Sequence, residues 1–206
     1  MDLWMQIKSM YEKSDRQIKI LDGIAEQGIK ELREINISPE STMGTIIINT
    51  NGIIVDNWIR ILGQSSEHHA GIVDFCERIG CEFGKMMVIA IDIVGGLFAI
   101  NSGEFEDDIG MVWYFAPDTV SWESLGFRYS EFIVWLAQGN IIDFYKPFRW
   151  TGWEKDIEDM DGFNNGVLIY PFLWAKECNI ETASKKISPL SEIIKMYFGF
   201  KKEFNL

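Results

Sequence analysis

Three carboxylates stand next to turns in this sequence, and they are the residues whose chemistry could act on a substrate. Asp92 ends an apolar run, Asp118 follows a proline, and Glu123 comes shortly after it. Two carboxylates that converge can work as a general acid and a general base, as they do in glycoside hydrolysis. Chance pairs are expected in so acidic a segment. A hydrolase, or a small-ligand or sugar-binding protein that uses these three residues, is therefore the alternative function.

The other signatures of catalysis are weak. His68 and His69 are the only histidines, and adjacent side chains project in different directions, which favours a surface loop over a shared metal ion. No GxSxG motif marks an activated serine. Gly95-Gly96 lacks the spacing of a nucleotide-binding loop and leads into a strand. We therefore expect no metal, no cofactor and a non-enzymatic protein.

The cysteines give no sign of a disulfide framework. Cys76, Cys81 and Cys178 are an odd number, and they lack the spacing of a metal site. Disulfide frameworks use paired cysteines in an oxidising compartment. We expect reduced and mostly buried thiols.

Negative charge is concentrated in one region of the chain. The sequence has 19 basic and 31 acidic residues, a net charge of −12, and residues 92–161 hold fourteen of the acids against four basic residues. Nucleic acid is excluded as a partner, because a phosphate-binding surface needs clustered Lys and Arg. An acidic field can steer a basic protein toward this region. Its simpler role is to keep an aromatic-rich protein in solution.

Tryptophans next to polar residues are candidates for a contact surface. Trp122, Trp150 and Trp153 have such neighbours, and partly exposed tryptophans are frequent anchors of protein interfaces. We combine the first of them with nearby acids. The predicted protein-binding patch consists of Glu104, Glu106, Asp107, Asp108, Asp118, Trp122 and Glu123.

The N-terminal region is predicted to be helical and then to form a hairpin. Apolar spacing predicts a helix over residues 2–12, and Asp22 can cap a second helix. Thr45–Asn49 is rich in β-branched residues, and Asn51-Gly52 separates it from Ile53–Val55. Asn-Gly between two apolar runs is typical of a hairpin turn.

The central region is predicted to hold the sheet. Met86–Ile91, Leu97–Ile100 and Met111–Phe115 are apolar runs of strand length. Asn101–Gly103 should form a tight turn in which Gly103 has positive φ. Ser130 is expected to cap a helix that stops at Gly139.

The C-terminal region adds short elements to this core. Ile141–Tyr145 should be a helical turn, and Thr151 can cap a helix through about Met160. Val167–Tyr170 reads as a strand and Pro189–Phe198 as a closing helix. Asp156–Asp161 should be exposed.

The order of these elements predicts one α+β domain, with an antiparallel sheet and helices packed on one side. We divide it into a helical region (1–38), a sheet-centred core (44–138) and an added segment (139–206). No run of about 18 apolar residues and no basic leader is present. The sequence therefore predicts a cytoplasmic protein that does not contact a membrane.

Six motifs, in order along the chain, carry a resemblance to the uncharacterised bacterial family named domain of unknown function 2625. The resemblance covers about residues 40–175 and implies no known activity. The motifs are Gly52–Gly63 (GIIVDNWIRILG), Gly95–Gly103 (GGLFAINSG), Tyr114–Gly126 (YFAPDTVSWESLG), Tyr129–Phe132 (YSEF), Arg149–Trp153 (RWTGW) and Tyr170–Trp174 (YPFLW).

A looser likeness concerns the centre of the chain. Ile91–Ile100, the Gly110–Tyr114 strand, Ser121-Trp122 and the start of a helix at Ser130–Ile133 look like the core of the SUKH superfamily. That resemblance implies an α+β fold and, for many members, the binding and neutralising of bacterial toxins as immunity proteins. The leading hypothesis is therefore a protein-binding module of the immunity type, whose partner is a basic toxin.

Overall fold

The computed structural model describes residues 2–81, 84–161 and 164–204, and at its centre lies a seven-stranded antiparallel sheet. The strands follow one another across the sheet in the order in which they occur in the chain. They are β1 (Ile18–Asp22), β2 (Thr50–Val55), β3 (Ile59–Leu62), β4 (Met86–Asp92), β5 (Leu97–Asn101), β6 (Val112–Ala116) and β7 (Ser121–Phe127).

A hairpin and a set of helices complete the domain. The hairpin pairs β8 (Asn165–Tyr170) with β9 (Ser184–Pro189). The helices are α1 (Leu3–Glu12), α2 (Ala25–Glu34), α3 (Thr42–Asn49), α4 (Ile72–Ile79), α5 (Tyr129–Gln138), α6 (Ile141–Tyr145), α7 (Trp153–Asp156) and α8 (Leu190–Phe204). The predicted α+β domain with an antiparallel sheet is confirmed. Within the described ranges, every helix is too short or too polar to cross a membrane.

Helices cover both faces of the sheet rather than the one side that we expected. Phe98 is paired with Tyr114 and shares its face, whereas the next residue, Phe115, points to the other face. The Phe132 ring of α5 lies 4.9 Å from the Phe98 ring, and the Phe198 ring of α8 lies 5.2 Å from the Phe115 ring. Strands covered on both sides are continuously apolar, and all seven residues of β4 are buried.

The segment before β2 is helical, although the sequence predicts a strand there. Thr45–Asn49 belongs to α3, and Asn51-Gly52 lies inside β2. Ser41 begins the helix by accepting a hydrogen bond from the Gly44 amide, and the β-branched residues are buried against α1 and α2. Tertiary packing overrides a β propensity that spans only about 1 kcal/mol. The true hairpin turn is Asp56-Asn57, where both residues have positive φ.

Two helices begin at residues other than the predicted caps. Asp22 ends β1, and Ile24 precedes α2 without any side-chain cap. The α5 helix begins after Arg128, whose amide donates to the Glu131 carboxylate at 2.8 Å, so Ser130 lies inside the first turn. Capping patterns locate a helix end only to within a few residues when several polar residues are adjacent.

The C-terminal elements agree with the prediction in α6, β8 and α8 and differ in α7 and β9. The helix expected through Met160 is the single turn α7, and Gly152 before it is left-handed (φ 81°). The apolar pattern predicts neither β9 here nor α4 and β7 earlier in the chain. Ile157 is buried in the segment expected to be exposed, while its acids are exposed as predicted: Asp156, Glu158, Asp159 and Asp161.

Two of the three cysteines form a pair. Cys76 of α4 and Cys81 are joined by a disulfide, with Cα atoms 5.0 Å apart, and Cys178 is free and half-buried. The expectation of three reduced thiols is therefore wrong for the first two. Their five-residue separation across the end of a helix is not one of the patterns from which pairing is inferred.

The turn after β5 provides a stability prediction. Gly103 has φ +131°, as expected, and a Cβ added there would meet nothing within 4 Å. Gly103→Val should therefore lower the free energy of unfolding by about 1 to 3 kcal/mol through backbone strain alone. Urea unfolding measures this cost. Gly103→Ala should share most of it, because alanine resists the same φ; full stability of both variants would contradict the assignment.

Candidate functional site

A buried asparagine holds the connection between β5 and β6 in one conformation. The Asn101 amide donates to the carbonyl oxygens of Phe105 at 2.9 Å and Asp107 at 2.8 Å. Its oxygen accepts from the amides of Gly103 at 3.0 Å and Phe105 at 3.1 Å. The side chain of Asn101 thus satisfies backbone groups of this loop, in addition to the hydrogen bond that the Glu104 amide donates to the Lys85 carbonyl at 3.2 Å. We call Glu104–Asp108 the acidic loop.

The acidic loop presents its charges to solvent. The ring of Phe105 stacks on Trp113, with centroids 4.0 Å apart and planes at 15°. The other four residues of the loop are exposed acids: Glu104, Glu106, Asp107 and Asp108. An aromatic residue therefore pins the loop to the sheet, and four of the seven residues predicted for the binding patch project outward together.

Trp122 lies beside the acidic loop in a shallow groove of about 290 Å³. Its ring is half-buried and contacts the Phe115 ring at 5.4 Å. The groove is lined by Lys85, Met86, Leu97, Glu104, Trp122 and Phe198, among others. The structure thus brings Glu104 and Trp122, which are well separated in the sequence, to one groove, whose charged lining residues, among those described, are Glu104 and Lys85.

Asp118 and Glu123 lie elsewhere on the same edge of the sheet. Glu123 is paired with Tyr114, and Trp122 with Phe115, so the side chains of Trp122 and Glu123 point to opposite faces of β7. Burial and the nearby Asp118 carboxylate raise the pKa of Glu123. The predicted patch is therefore divided between the two faces of the last strand of the sheet.

Asp92 is the centre of a buried hydrogen-bond network. One carboxylate oxygen accepts from the amides of Val94 at 3.1 Å and Gly96 at 2.8 Å. The other accepts from the hydroxyls of Tyr114 at 2.8 Å and Tyr145 at 3.1 Å. The residue is 1% exposed. Asp92 cannot meet a dissolved substrate, so a hydrolase would have to rely on Asp118 and Glu123.

Asp92 should make stability depend on pH. Burial raises its pKa from 3.8 to about 6, against the four donors that favour the ionised form. The native protein therefore holds this proton more tightly than the unfolded chain, and the stabilisation is lost as pH rises from about 4 to 7. Asp92→Asn removes the titration. The stability of the variant relative to the parent should rise by about 3 kcal/mol across that range.

Chemical denaturation at pH 4, 5, 6 and 7 checks this prediction. Only the pH dependence of the difference matters, so any constant cost of the substitution cancels. A difference that stays flat, or that falls as pH rises, would show that Asp92 titrates no higher in the native protein than in the unfolded chain.

A second cleft, which the sequence did not predict, lies beside the Asp56-Asn57 turn that joins β2 and β3. The Arg149 guanidinium lies over three aromatic rings, 4.3 Å from the centroid of Trp153, 5.1 Å from Trp58 and 5.5 Å from Tyr145. The cleft, of about 560 Å³, is lined by Asp15, Asp56, Arg149, Trp153, Glu154 and Glu158, among others. We call it the Arg149 cleft.

Two family motifs supply this cleft. Asp56 and Trp58 belong to the first motif, and Arg149 and Trp153 belong to the RWTGW motif. The arginine and tryptophans of these motifs could have indicated a binding site. The two motifs are far apart in the sequence, however, so the sequence does not show that they contact each other. Trp153 is half-buried, as expected, whereas Trp150 is buried and donates its indole N–H to Asp156 at 2.7 Å. The expected exposure of Trp150 is therefore wrong.

The histidines lie together on a loop after β3. Their ring centroids are 6.2 Å apart; His68 is exposed and His69 is half-buried. Among the residues placed in the structure, no three His, Cys, Asp or Glu side chains are grouped so as to hold a metal ion.

Comparison with known proteins gives the chain its relatives. It is 30% identical over 203 residues to the uncharacterised protein YbfG of Escherichia coli (strain K12), covering 98% of this chain and 93% of the relative. It is 28% identical over 173 residues to an uncharacterised protein of Haemophilus influenzae (strain ATCC 51907 / DSM 11121 / KW20 / Rd), covering 81% and 75%. No solved structure shows a significant match.

The match to a family is nearly complete along the chain. The model of the family described as protein of unknown function DUF2625 matches residues 2–193. The SUKH likeness has no counterpart in these comparisons. The chain belongs to the DUF2625 family.

Proposed function

We propose that this protein is a non-enzymatic binding module of the immunity type, which neutralises a basic protein toxin by binding it through the acidic loop and Trp122. The observation that carries the proposal is the set of four hydrogen bonds by which buried Asn101 holds Gly103 and the acidic loop beside the Trp122 groove. Asp118 and Glu123 belong to the same proposed patch, but Glu123 points to the opposite face of β7 from Trp122, so we expect these two acids to contribute less than the acidic loop.

Fixing the loop favours binding for a physical reason. Four carboxylates within five residues repel one another, and a free loop would spread them apart. The Asn101 hydrogen bonds and the stacked Phe105 hold them in place before any partner arrives. A preorganised surface loses less conformational entropy on association. Its field also accelerates the encounter with a positively charged surface.

The groove offers the short-range part of the interaction. Trp122 is half-buried, and the floor of the groove includes the buried residues Met86 and Leu97. An apolar side chain of the partner can displace water there, next to the carboxylate of Glu104. Protein interfaces commonly have an apolar centre, which supplies most of the binding energy, and a polar rim around it.

A hydrolase is the weaker proposal. It would depend on Asp118 and Glu123, and burial together with the nearby Asp118 carboxylate raises the pKa of Glu123, as a general acid requires. Glu123 is exposed at the sheet edge, however, and none of the clefts described above includes it. Glu123→Gln should therefore leave any interaction with a basic partner only slightly weakened.

Differential capture from the native host tests the proposal. Three baits are compared at low salt: the parent, a loop variant (Glu104→Gln, Glu106→Gln, Asp107→Asn, Asp108→Asn), and a control with four exposed acids neutralised elsewhere (Glu12→Gln, Glu26→Gln, Glu34→Gln, Asp159→Asn). One basic protein should be retained by the parent and the control, released by salt, and absent from the loop variant. Equal recovery on all three baits would refute the proposal.

The immunity role has its own test. The captured basic protein is expressed in a sensitive host with and without this chain. Growth should stop in its absence and resume in its presence, and the loop variant should fail to restore growth. A captured protein that is harmless alone would contradict neutralisation while leaving the binding module in place.

A further inference from the structure

We infer that the Arg149 cleft binds a small zwitterion, with a carboxylate at Arg149 and a cationic group at the acidic rim. The ligand class is a basic amino acid, or the same chemistry at the C-terminus of a peptide. This site lies apart from the acidic loop and does not depend on the function proposed above.

The floor of the cleft holds a guanidinium whose hydrogen bonds are incomplete. The Arg149 side chain is 11% exposed, and its Nε and Nη2 are buried without a hydrogen-bond acceptor. Among the described residues its closest counter-ion is Asp56, whose Oδ2 lies 4.0 Å from Nη2, and the Glu154 carboxylate also favours its charge. Buried guanidinium groups normally have their charge paired. The remaining exposed part of Arg149 lines the cleft.

Asp56 cannot neutralise this region alone, because it is shared. One of its oxygens accepts from the Gln17 amide at 3.1 Å, and the other lies 3.4 Å from Nη1 of Arg16. Arg16 and Arg149 are both largely buried, and Asp56 is the carboxylate within 4.0 Å of each. A ligand carboxylate could bind the exposed part of Arg149, because guanidinium is the side chain best suited to bind a carboxylate.

The rim has the opposite sign and restricts what can enter. Among the described residues around the opening, Asp15, Glu154 and Glu158 are exposed acids and Lys155 is the exposed cation. This rim repels a phosphate-rich or dicarboxylate ligand and attracts an ammonium group. A ligand with one carboxylate and at least one cationic group can bind Arg149 at the floor and the acids of the rim at the same time.

An apolar wall fits the stem of a basic side chain. Ile142 is 63% exposed and lines the cleft, and the half-buried Trp153 lines it as well. Long basic side chains bury their methylene stems against such surfaces and keep the charge in water. The volume of about 560 Å³ lies within the range of ordinary small-ligand sites.

Calorimetric titration with defined probes tests the inference. L-lysine should bind saturably, while L-lysinamide, which lacks the carboxylate, and L-glutamate, which lacks the cationic side chain, should each bind at least about tenfold more weakly. The tripeptide Gly-Gly-Lys, with a free or an amidated C-terminus, shows whether the ligand is a peptide C-terminus or a free amino acid. Binding of the free-acid peptide assigns the site to a C-terminus; binding of lysine alone assigns it to a free amino acid.

Variants of the rim keep the test independent of folding, since Arg149 also packs in the core. Glu154→Gln with Glu158→Gln should weaken lysine binding about threefold to tenfold and strengthen glutamate binding. The matched pair Glu26→Gln with Glu34→Gln, on α2, should change neither. The inference is wrong if no probe binds saturably below about 10 mM, or if lysinamide binds as well as lysine.

Discussion

Replacing Gly96 with alanine is expected to lower the free energy of unfolding by about 3 kcal/mol or more. A Cβ at this position would overlap the Asp92 carboxylate and the Tyr114 hydroxyl. Those two groups are fully buried and bonded to each other at 2.8 Å. Any shift that makes room for the methyl group leaves a buried carboxylate with fewer donors, which is among the costliest defects in a core.

Urea denaturation of Gly96→Ala measures the loss, with Gly199→Ala as its control. Gly199 lies in α8, has open space around its Cβ position and needs no unusual φ. Alanine there should stabilise the protein by about 0.5 to 1 kcal/mol, because it is the better helix former. If Gly96→Ala were as stable as the parent, the Asp92 network would not be the rigid centre described above.

Trp122→Ala is expected to weaken the complex with the captured basic partner by about thirtyfold or more, equivalent to about 2 kcal/mol. The half-buried ring lines the groove beside Glu104, where it can be fully desolvated by a partner. The loss should appear mainly in the dissociation rate, because short-range contacts form after the encounter. Surface plasmon resonance separates the two rates.

Two further variants serve as controls for the effect of Trp122→Ala. Trp122→Phe keeps an aromatic ring on the groove and should restore most of the affinity. Trp4→Ala removes another half-buried tryptophan, on α1 and away from the acidic loop, and should leave the affinity unchanged. Equal affinity of Trp122→Ala and the parent would remove Trp122 from the interface.

The apolar centre of the fold was predictable from the sequence. Met86–Ile91 and Leu97–Ile100 are apolar runs of strand length, which favour buried strands, and both are strands. Thr45–Asn49 is also rich in apolar β-branched residues yet forms a helix, which packs mainly against α1 and α2. Local composition cannot distinguish these cases when the packing partner decides.

The edge strand β7 shows a different limit. Ser121–Phe127 mixes polar and apolar residues without the alternation of a half-buried strand, and Gly126 has positive φ near an irregularity in the β6–β7 pairing. Edge strands often carry such features, which also discourage pairing with other chains. They weaken the periodic signal on which prediction depends.

The candidate sites were predictable only in part. Exposed charge can be read from the sequence, and the four acids of the acidic loop are exposed. The role of Asn101 depends on a buried position beneath its own loop. The Arg149 cleft depends on Asp56 and Arg149, which only the folded chain brings to within 4.0 Å. Contacts of this kind leave no periodic trace in a single sequence.

The association rate of the loop variant with the captured partner tests the central claim most directly. Stopped-flow mixing at low salt should show binding about tenfold slower than for the parent, a difference that disappears near 1 M salt, where charges are screened. The melting temperature should change by less than about 2 °C, because the four side chains are exposed. A loop variant that melts much lower and binds as fast as the parent would show that the acidic loop is structural and does not steer a partner.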